Sequence, residues 1–187
     1  SPAAAARITV IALDVDGVLT DGGLILGDVA GSPVELKRYD VQDGLGIYLL
    51  RRAGLKVVIV TGRESESVRL RALELNVDGL SQDRHARKLP NLVKLLAEVG
   101  GTLEQTAFLG DDIPDVAILR KVGMPVCVGN ATPEARAASQ VQLSKRGGHG
   151  AVREFAEAFL RARGVWDQVV EAYITDRSRD VVGDLMQ

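Results

Sequence analysis

The stretch spanning residues 8–21, ITVIALDVDGVLTD, constrains this chain more than any other. It starts as a continuous apolar run rich in β-branched residues, the pattern of a strand buried on both faces. The run ends at once in Asp14, Asp16 and Gly17, with Asp21 close behind. A strand covered on both sides belongs in a parallel sheet wrapped by helices. Like charges leaving its end need a cation or a ligand to balance them.

Strand and helix signals alternate along most of the 187 residues. Strands are expected at 8–14, 55–62, 106–112, 124–129 and 141–144. Helices are expected at 44–54, 66–75, from near Pro90 to Gly100 and Gly101, at 113–123, 132–139 and 150–164. In the second of these, Val68, Leu70, Leu73 and Leu75 form the expected apolar side. The reading is one α/β domain over 1–187, with its core at about 8–163: a Rossmann-like three-layer sandwich with a mostly parallel sheet. Residues 24–40 break the rhythm and read as a β-hairpin around a Gly-Ser-Pro turn, projecting from the C-terminal edge of the sheet. The tail at about 165–187 is partly amphipathic and then polar, a segment that docks on a partner or frays.

Composition narrows the function classes. A net charge of −2 and 4% aromatic residues argue against a nucleic-acid partner. No apolar run approaches the roughly 20 residues that span a bilayer, so no membrane partner is expected. The opening SPAAAAR has neither the basic start nor the long apolar centre of a signal peptide. Cys127 is the only cysteine. It reads as a buried structural thiol, and the absence of an internal disulfide points to a cytoplasmic setting.

In open α/β sheets, ligands bind beyond the carboxyl ends of the strands. Three expected strands end in reactive side chains: Asp14 and Asp16; Thr61 and Arg63; Asp111, Asp112 and Asp115. If Asp14 and Asp16 continue the strand they point the same way, roughly 6.5 Å apart. Carboxylates gathered without His or Cys suit a hard cation, with Mg²⁺ the natural candidate. A calcium loop is excluded, because Val18 stands at its fifth position and Ile25 at its twelfth. Asp21, Asp28 and Asp115 also have a plainer reading as caps or loop residues.

Together, DVDGVLTD, VTGR, Lys88 and GDDIPD resemble the four ordered motifs of the haloacid dehalogenase (HAD) superfamily of Mg²⁺-dependent phosphatases. The stretches GSPVELKRYDVQDGLGIYLLRRAG and KRGGHGAVREF extend the likeness to the capless branch of 3-deoxy-D-manno-octulosonate 8-phosphate (KDO 8-phosphate) phosphatases. The resemblance covers about residues 8–160. It implies a HAD-like fold without a cap domain, and a homotetramer whose hairpins roof neighbouring sites. It makes Asp14 the nucleophile and Asp16 the acid and base, with Thr61 and Lys88 on the phosphoryl group. It makes Asp14, Asp16 (through its carbonyl), Asp111 and Asp112 the Mg²⁺ set, and it places Gly62, Arg63 and His149 on the substrate side. The third motif departs from the usual pattern: SQDRHARKLPNL carries one extra residue and Arg87 in place of an Asp. Lys88 is aligned with the catalytic lysine because Leu89 and the helix follow it, and Arg87 stays as the substitute. His85 reads as an exposed loop residue.

The activity implied is hydrolysis of a phosphosugar monoester, with Arg63 favouring KDO 8-phosphate through its carboxylate. The other readings are a nonulosonate 9-phosphate or aryl phosphate as substrate, or a non-catalytic phosphosugar-binding module. Retention of both Asp14 and Asp16 argues against the last.

Overall fold

The computed structural model describes residues 2–184. Strand β1 (Val10–Leu13) is buried at all four positions. It pairs in parallel with β4 (Lys56–Thr61) on one side and β6 (Thr106–Gly110) on the other. The sheet continues outward to β5 (Gly79–Gln82) beyond β4, and to β7 (Met124–Cys127) and β8 (Val141–Gln142) beyond β6. Every pairing in this six-stranded sheet is parallel. The segments that read as apolar runs are the central strands. The polar strand β5 at one edge carried no such signal.

Two groups of helices flank the sheet. One gathers α1 (Pro2–Arg7), α2 (Val41–Arg52), α7 (Ala151–Ala162) and α8 (Trp166–Asp184); the other gathers α4 (Lys88–Val99), α5 (Val116–Leu119) and α6 (Pro133–Ala137). Strand β4 touches both α2 and α4 and is buried at its last five positions, so one group covers each face. Helix α7 shows why its sequence belongs there: Val152, Phe155, Ala156, Phe159 and Leu160 form one buried stripe at helical spacing. Burying such large apolar side chains contributes about 1.5–3 kcal/mol each, and Phe155→Ala would cost about 3–5 kcal/mol. Helix α4 begins at Lys88, two residues before Pro90, and ends at Gly100 with φ 74°. Pro90 falls in the first turn, where no intrahelical N–H bond is required.

The hairpin is β2 (Ile25–Val29) paired antiparallel with β3 (Ser32–Leu36). Its turn is Ala30–Gly31, both at positive φ, rather than Gly-Ser-Pro; Ser32 and Pro33 already belong to the strand. A two-residue turn with both φ positive matches the right-handed twist of the strands, and the Asp28 side chain fixes it by accepting from the Gly31 N–H at 2.8 Å. A bridge between Thr20 and Tyr39 closes the base. Among the described residues no cap domain covers the strand ends.

Two helices differ from expectation. In α3 (Glu66–Glu74) the buried residues are Val68 and Ala72, whereas Leu70 and Leu73 are exposed. Val68, Ala72 and Leu75 share one face at i, i+4 and i+7, and Leu70 and Leu73 lie on the opposite one. The tail is helical over its described length. It forms α8, which packs on α2 and α7 and brings the Trp166 ring within 5.4 Å of the Arg153 guanidinium and 5.0 Å of that of Arg161; residues 185–187 lie outside the described part. Helix α1 has only Ala5 buried and left no apolar period to read. Among the described residues, no helix is long and apolar enough to cross a membrane.

Candidate active site

Because β4, β1 and β6 are adjacent and parallel, Thr61, Asp14 and Asp111 emerge side by side from one edge. They open into a cavity of ≈ 200 Å³ lined by Asp14, Asp16, Thr61, Gly62, Arg63, Ala86, Lys88, Asp111, Asp112 and Pro114. The strand stops at Leu13, however, and Asp16 lies in a tight turn over Val15–Leu19 with Gly17 at φ 89°. Strand alternation therefore does not set the directions of Asp14 and Asp16. Gly17 is required twice over: a Cβ there would sit 2.0 Å from Asp111 Oδ2, and its φ disfavours any side chain. The GGHG segment backs this turn, since a Cβ on Gly147 would meet the Gly17 carbonyl oxygen at 1.7 Å.

The site's charge balance turns on Lys88, the first residue of α4. Its Nζ lies 2.8 Å from Asp14 Oδ1 and 2.8 Å from Asp115 Oδ1, and all three side chains are buried. Arg87 is exposed and pairs with Asp83 at 3.2 Å, so the loop presents Lys88 to the cavity and Arg87 to solvent. Burial, then the charge of Asp115, pushes the Asp14 carboxyl well above its usual range against the pull of Lys88. Burial works against the Lys88 ammonium, but Asp14 and Asp115 outweigh it and raise its pKa. Burial and Asp115 likewise push Asp111 up to about 7.

Carboxylate oxygens of Asp14, Asp111 and Asp115 lie within 4.8 Å of one another. Asp115 accepts from Lys88 through Oδ1 and from the Asp111 N–H through Oδ2, so both of its oxygens are engaged. Asp111 Oδ1 is buried and makes no hydrogen bond, and Asp14 Oδ1 has the Lys88 ammonium beside it. Crowded carboxylates with unmet acceptor capacity fit a hard divalent cation. Asp112 lines the same cavity, but its exposed side chain caps the 3₁₀ turn Ile113–Asp115 by accepting from the Ile113 N–H at 2.7 Å.

Three groups differ from the sequence reading. His149 is exposed and stands 3.1 Å (Nδ1) and 3.2 Å (Nε2) from Arg38 Nη2, outside the lining of the cavity. Asp115 caps its turn and is also the buried partner of Lys88, which is more than its plainer reading allowed. Glu35 and Lys37 of the hairpin were missed. Lys37 pairs with the Asp16 carboxylate, and Arg63 pairs with Glu35 at 2.7 Å. Their one signal was a Glu and a Lys two residues apart in an expected strand, which share a face.

A Rossmann-like sheet with an Asp-led, lysine-neutralised carboxylate cluster at its strand ends defines a HAD-like hydrolase, and residues 82–155 match the family described as haloacid dehalogenase-like hydrolase. The chain is 36% identical to 3-deoxy-D-manno-octulosonate 8-phosphate phosphatase KdsC of Escherichia coli K12, over 89% of this chain and 86% of the relative. It is 36% identical to KdsC of Yersinia pestis over 85% and 83%. The Moraxella catarrhalis 3-deoxy-D-manno-octulosonate 8-phosphate phosphatase, solved with magnesium, phosphate and KDO, superposes with a TM-score of 0.85 at 37% identity, covering 92% of this chain and 97% of the other. The cobalt-bound Haemophilus influenzae phosphatase superposes with a TM-score of 0.81 at 34% identity, covering 87% and 93%. The chain belongs to the KDO 8-phosphate phosphatase family of haloacid dehalogenase-like hydrolases.

Proposed function

We propose that the protein is a Mg²⁺-dependent phosphatase that hydrolyses KDO 8-phosphate to KDO and inorganic phosphate. The observation that carries this is the buried Asp14 carboxylate, 2.8 Å from Lys88 at the mouth of the central strand. An oxygen of Asp14 attacks phosphorus in line, the bond from phosphorus to the sugar oxygen breaks, and an aspartyl-phosphate forms. Asp16 gives its proton to the departing sugar oxygen. Water then attacks the phosphorus, Asp16 takes the water's proton, and phosphate leaves Asp14 as the carboxylate is restored. Lys88 offsets the charge that builds up on Asp14 and the phosphoryl oxygens. Thr61 and the backbone at Gly62 hold those oxygens, and Arg63 pairs with the carboxylate of the sugar acid.

Asp14, Asp111 and the Asp16 carbonyl would hold Mg²⁺, with Asp112 orienting a metal-bound water; the ion lets an anionic carboxylate approach an anionic phosphate. The hairpin supports assembly into a homotetramer. Ile25 pairs with Leu36, and both stand 59% exposed on a two-stranded sheet of a size that is marginal alone. A cytoplasmic setting accords with the buried, unpaired Cys127. A phosphate-release screen across sugar and aryl phosphates tests the reading. KDO 8-phosphate is expected to be turned over with the highest kcat/KM, and preference for an aryl phosphate would overturn it.

A further inference from the structure

Glu35 and Lys37 leave the same face of the hairpin and meet the cavity residues Asp16 and Arg63. Glu35 Oε2 accepts from Arg63 Nη2 at 2.7 Å, and Glu35 Oε1 lies 3.4 Å from Lys37 Nζ. Lys37 also pairs with Asp16, and Arg63 Nε lies 3.7 Å from Asp16 Oδ2. Two cations and two carboxylates thus cancel beside the phosphoryl site. The lattice is anchored at one end and open at the other: the Lys37 side chain is fully buried, whereas that of Arg63 is 46% exposed. Glu35 Oε1 is buried and makes no hydrogen bond.

We propose that Glu35 is a specificity-determining residue that occupies Arg63 in the free enzyme and yields it to the carboxylate of the substrate. The proposal rests on the assignment of Arg63 to that carboxylate. Arg63 is the cation of the lattice that lines the cavity and reaches solvent. When it turns to a ligand, Glu35 keeps Lys37 beside it, and the cost of the exchange is that Lys37 then serves both Glu35 and Asp16. A free carboxylic acid must displace Glu35 with that single interaction. An ester already held by its phosphoryl group presents its carboxylate at high effective concentration and displaces Glu35 readily. Glu35 therefore weakens the hold on the dephosphorylated sugar acid and favours its release.

The test uses the Mg²⁺-loaded full chain and the variants Glu35→Gln, Arg63→Ala and the double variant, with melting curves to verify folding. Free KDO serves as a competitive inhibitor, and KDO 8-phosphate is compared with p-nitrophenyl phosphate, which has no carboxylate. In Glu35→Gln the inhibition constant of KDO should fall about tenfold, the scale of one charge-assisted hydrogen bond at a partly exposed site. The kcat/KM ratio of KDO 8-phosphate to p-nitrophenyl phosphate should rise. Both gains should vanish when Arg63 is also replaced. An unchanged KDO constant in Glu35→Gln, or a gain that persists without Arg63, overturns the role of Glu35. If Arg63→Ala alone leaves the ratio unchanged, the assignment of Arg63 falls, and the role of Glu35 falls with it.

Discussion

The Lys88 ammonium lies 2.8 Å from Asp14 Oδ1, joining the first residue of α4 to the end of β1. It also meets Asp115, so one cation stands between two buried acids in a cluster that includes Asp111. Removing it leaves carboxylates that repel one another with no counter-charge.

Lys88→Met is therefore expected to fail in two ways. Phosphate release should drop by about two to three orders of magnitude, the scale of a lost transition-state cation. Denaturant unfolding without Mg²⁺ should show a loss of about 3–5 kcal/mol, as for a buried ion pair stripped of one partner. A variant with the stability and activity of the wild type would show that Lys88 is incidental.

Protons should compete with Mg²⁺ at this cluster. Asp111 is pushed up to about 7 by burial and by Asp115, and Asp14 is raised as well. Ligating carboxylates must lose their protons to bind metal. Mg²⁺ affinity, followed by calorimetry from pH 8 to pH 6, should weaken about tenfold or more per unit below pH 7. Constant affinity across that range would contradict the picture.

Asp43 gives a separate signature in stability. The residue is 1% exposed, and its carboxylate accepts from the Gly150 N–H at 3.3 Å and the Arg153 N–H at 2.8 Å, capping α7 from α2. Burial outweighs these bonds and raises its pKa to about 6. The folded state thus binds a proton that the unfolded state releases near pH 4. This group's contribution is fully present below about pH 4 and is lost as pH rises to about 6, a fall of about 2–3 kcal/mol. Denaturant unfolding between pH 4 and pH 6 should show the wild type losing about that much stability relative to Asp43→Asn. Equal pH slopes would remove Asp43 as its source.

The part of the fold and site that the sequence disclosed is the part written in local pattern. Strands β1, β4 and β6 are continuous apolar runs, and Asp14, Thr61 and Asp111, at or just past their carboxyl ends, meet as expected. What escaped was set by tertiary contact. Strand β5 is a polar edge, and the turn after Leu13 replaces the extended geometry assumed for Asp16. The second role of Asp115 depends on Lys88 reaching it across 27 positions in sequence. Glu35 and Lys37 carry ordinary surface chemistry until the hairpin folds over the Asp16 loop.

The hairpin should control assembly. Leu36→Asp places a charge on the exposed apolar face that Leu36 shares with Ile25 and adds like charge between neighbouring copies. Sedimentation at micromolar concentration should show a tetramer for the wild type and smaller species for the variant. A wild type that sediments as a fully active monomer would end the assembly proposal.

The central claim is that Asp14 attacks phosphorus with Mg²⁺ in place. The most direct measurement is phosphate release from KDO 8-phosphate by the wild type and by Asp14→Asn, with Mg²⁺ or with EDTA. The replacement is nearly isosteric and not nucleophilic, so the variant should melt as a folded protein and release no phosphate above background. The wild type should stop in EDTA and recover when Mg²⁺ returns. Sustained turnover by well-folded Asp14→Asn, or by the wild type in EDTA, would contradict the account.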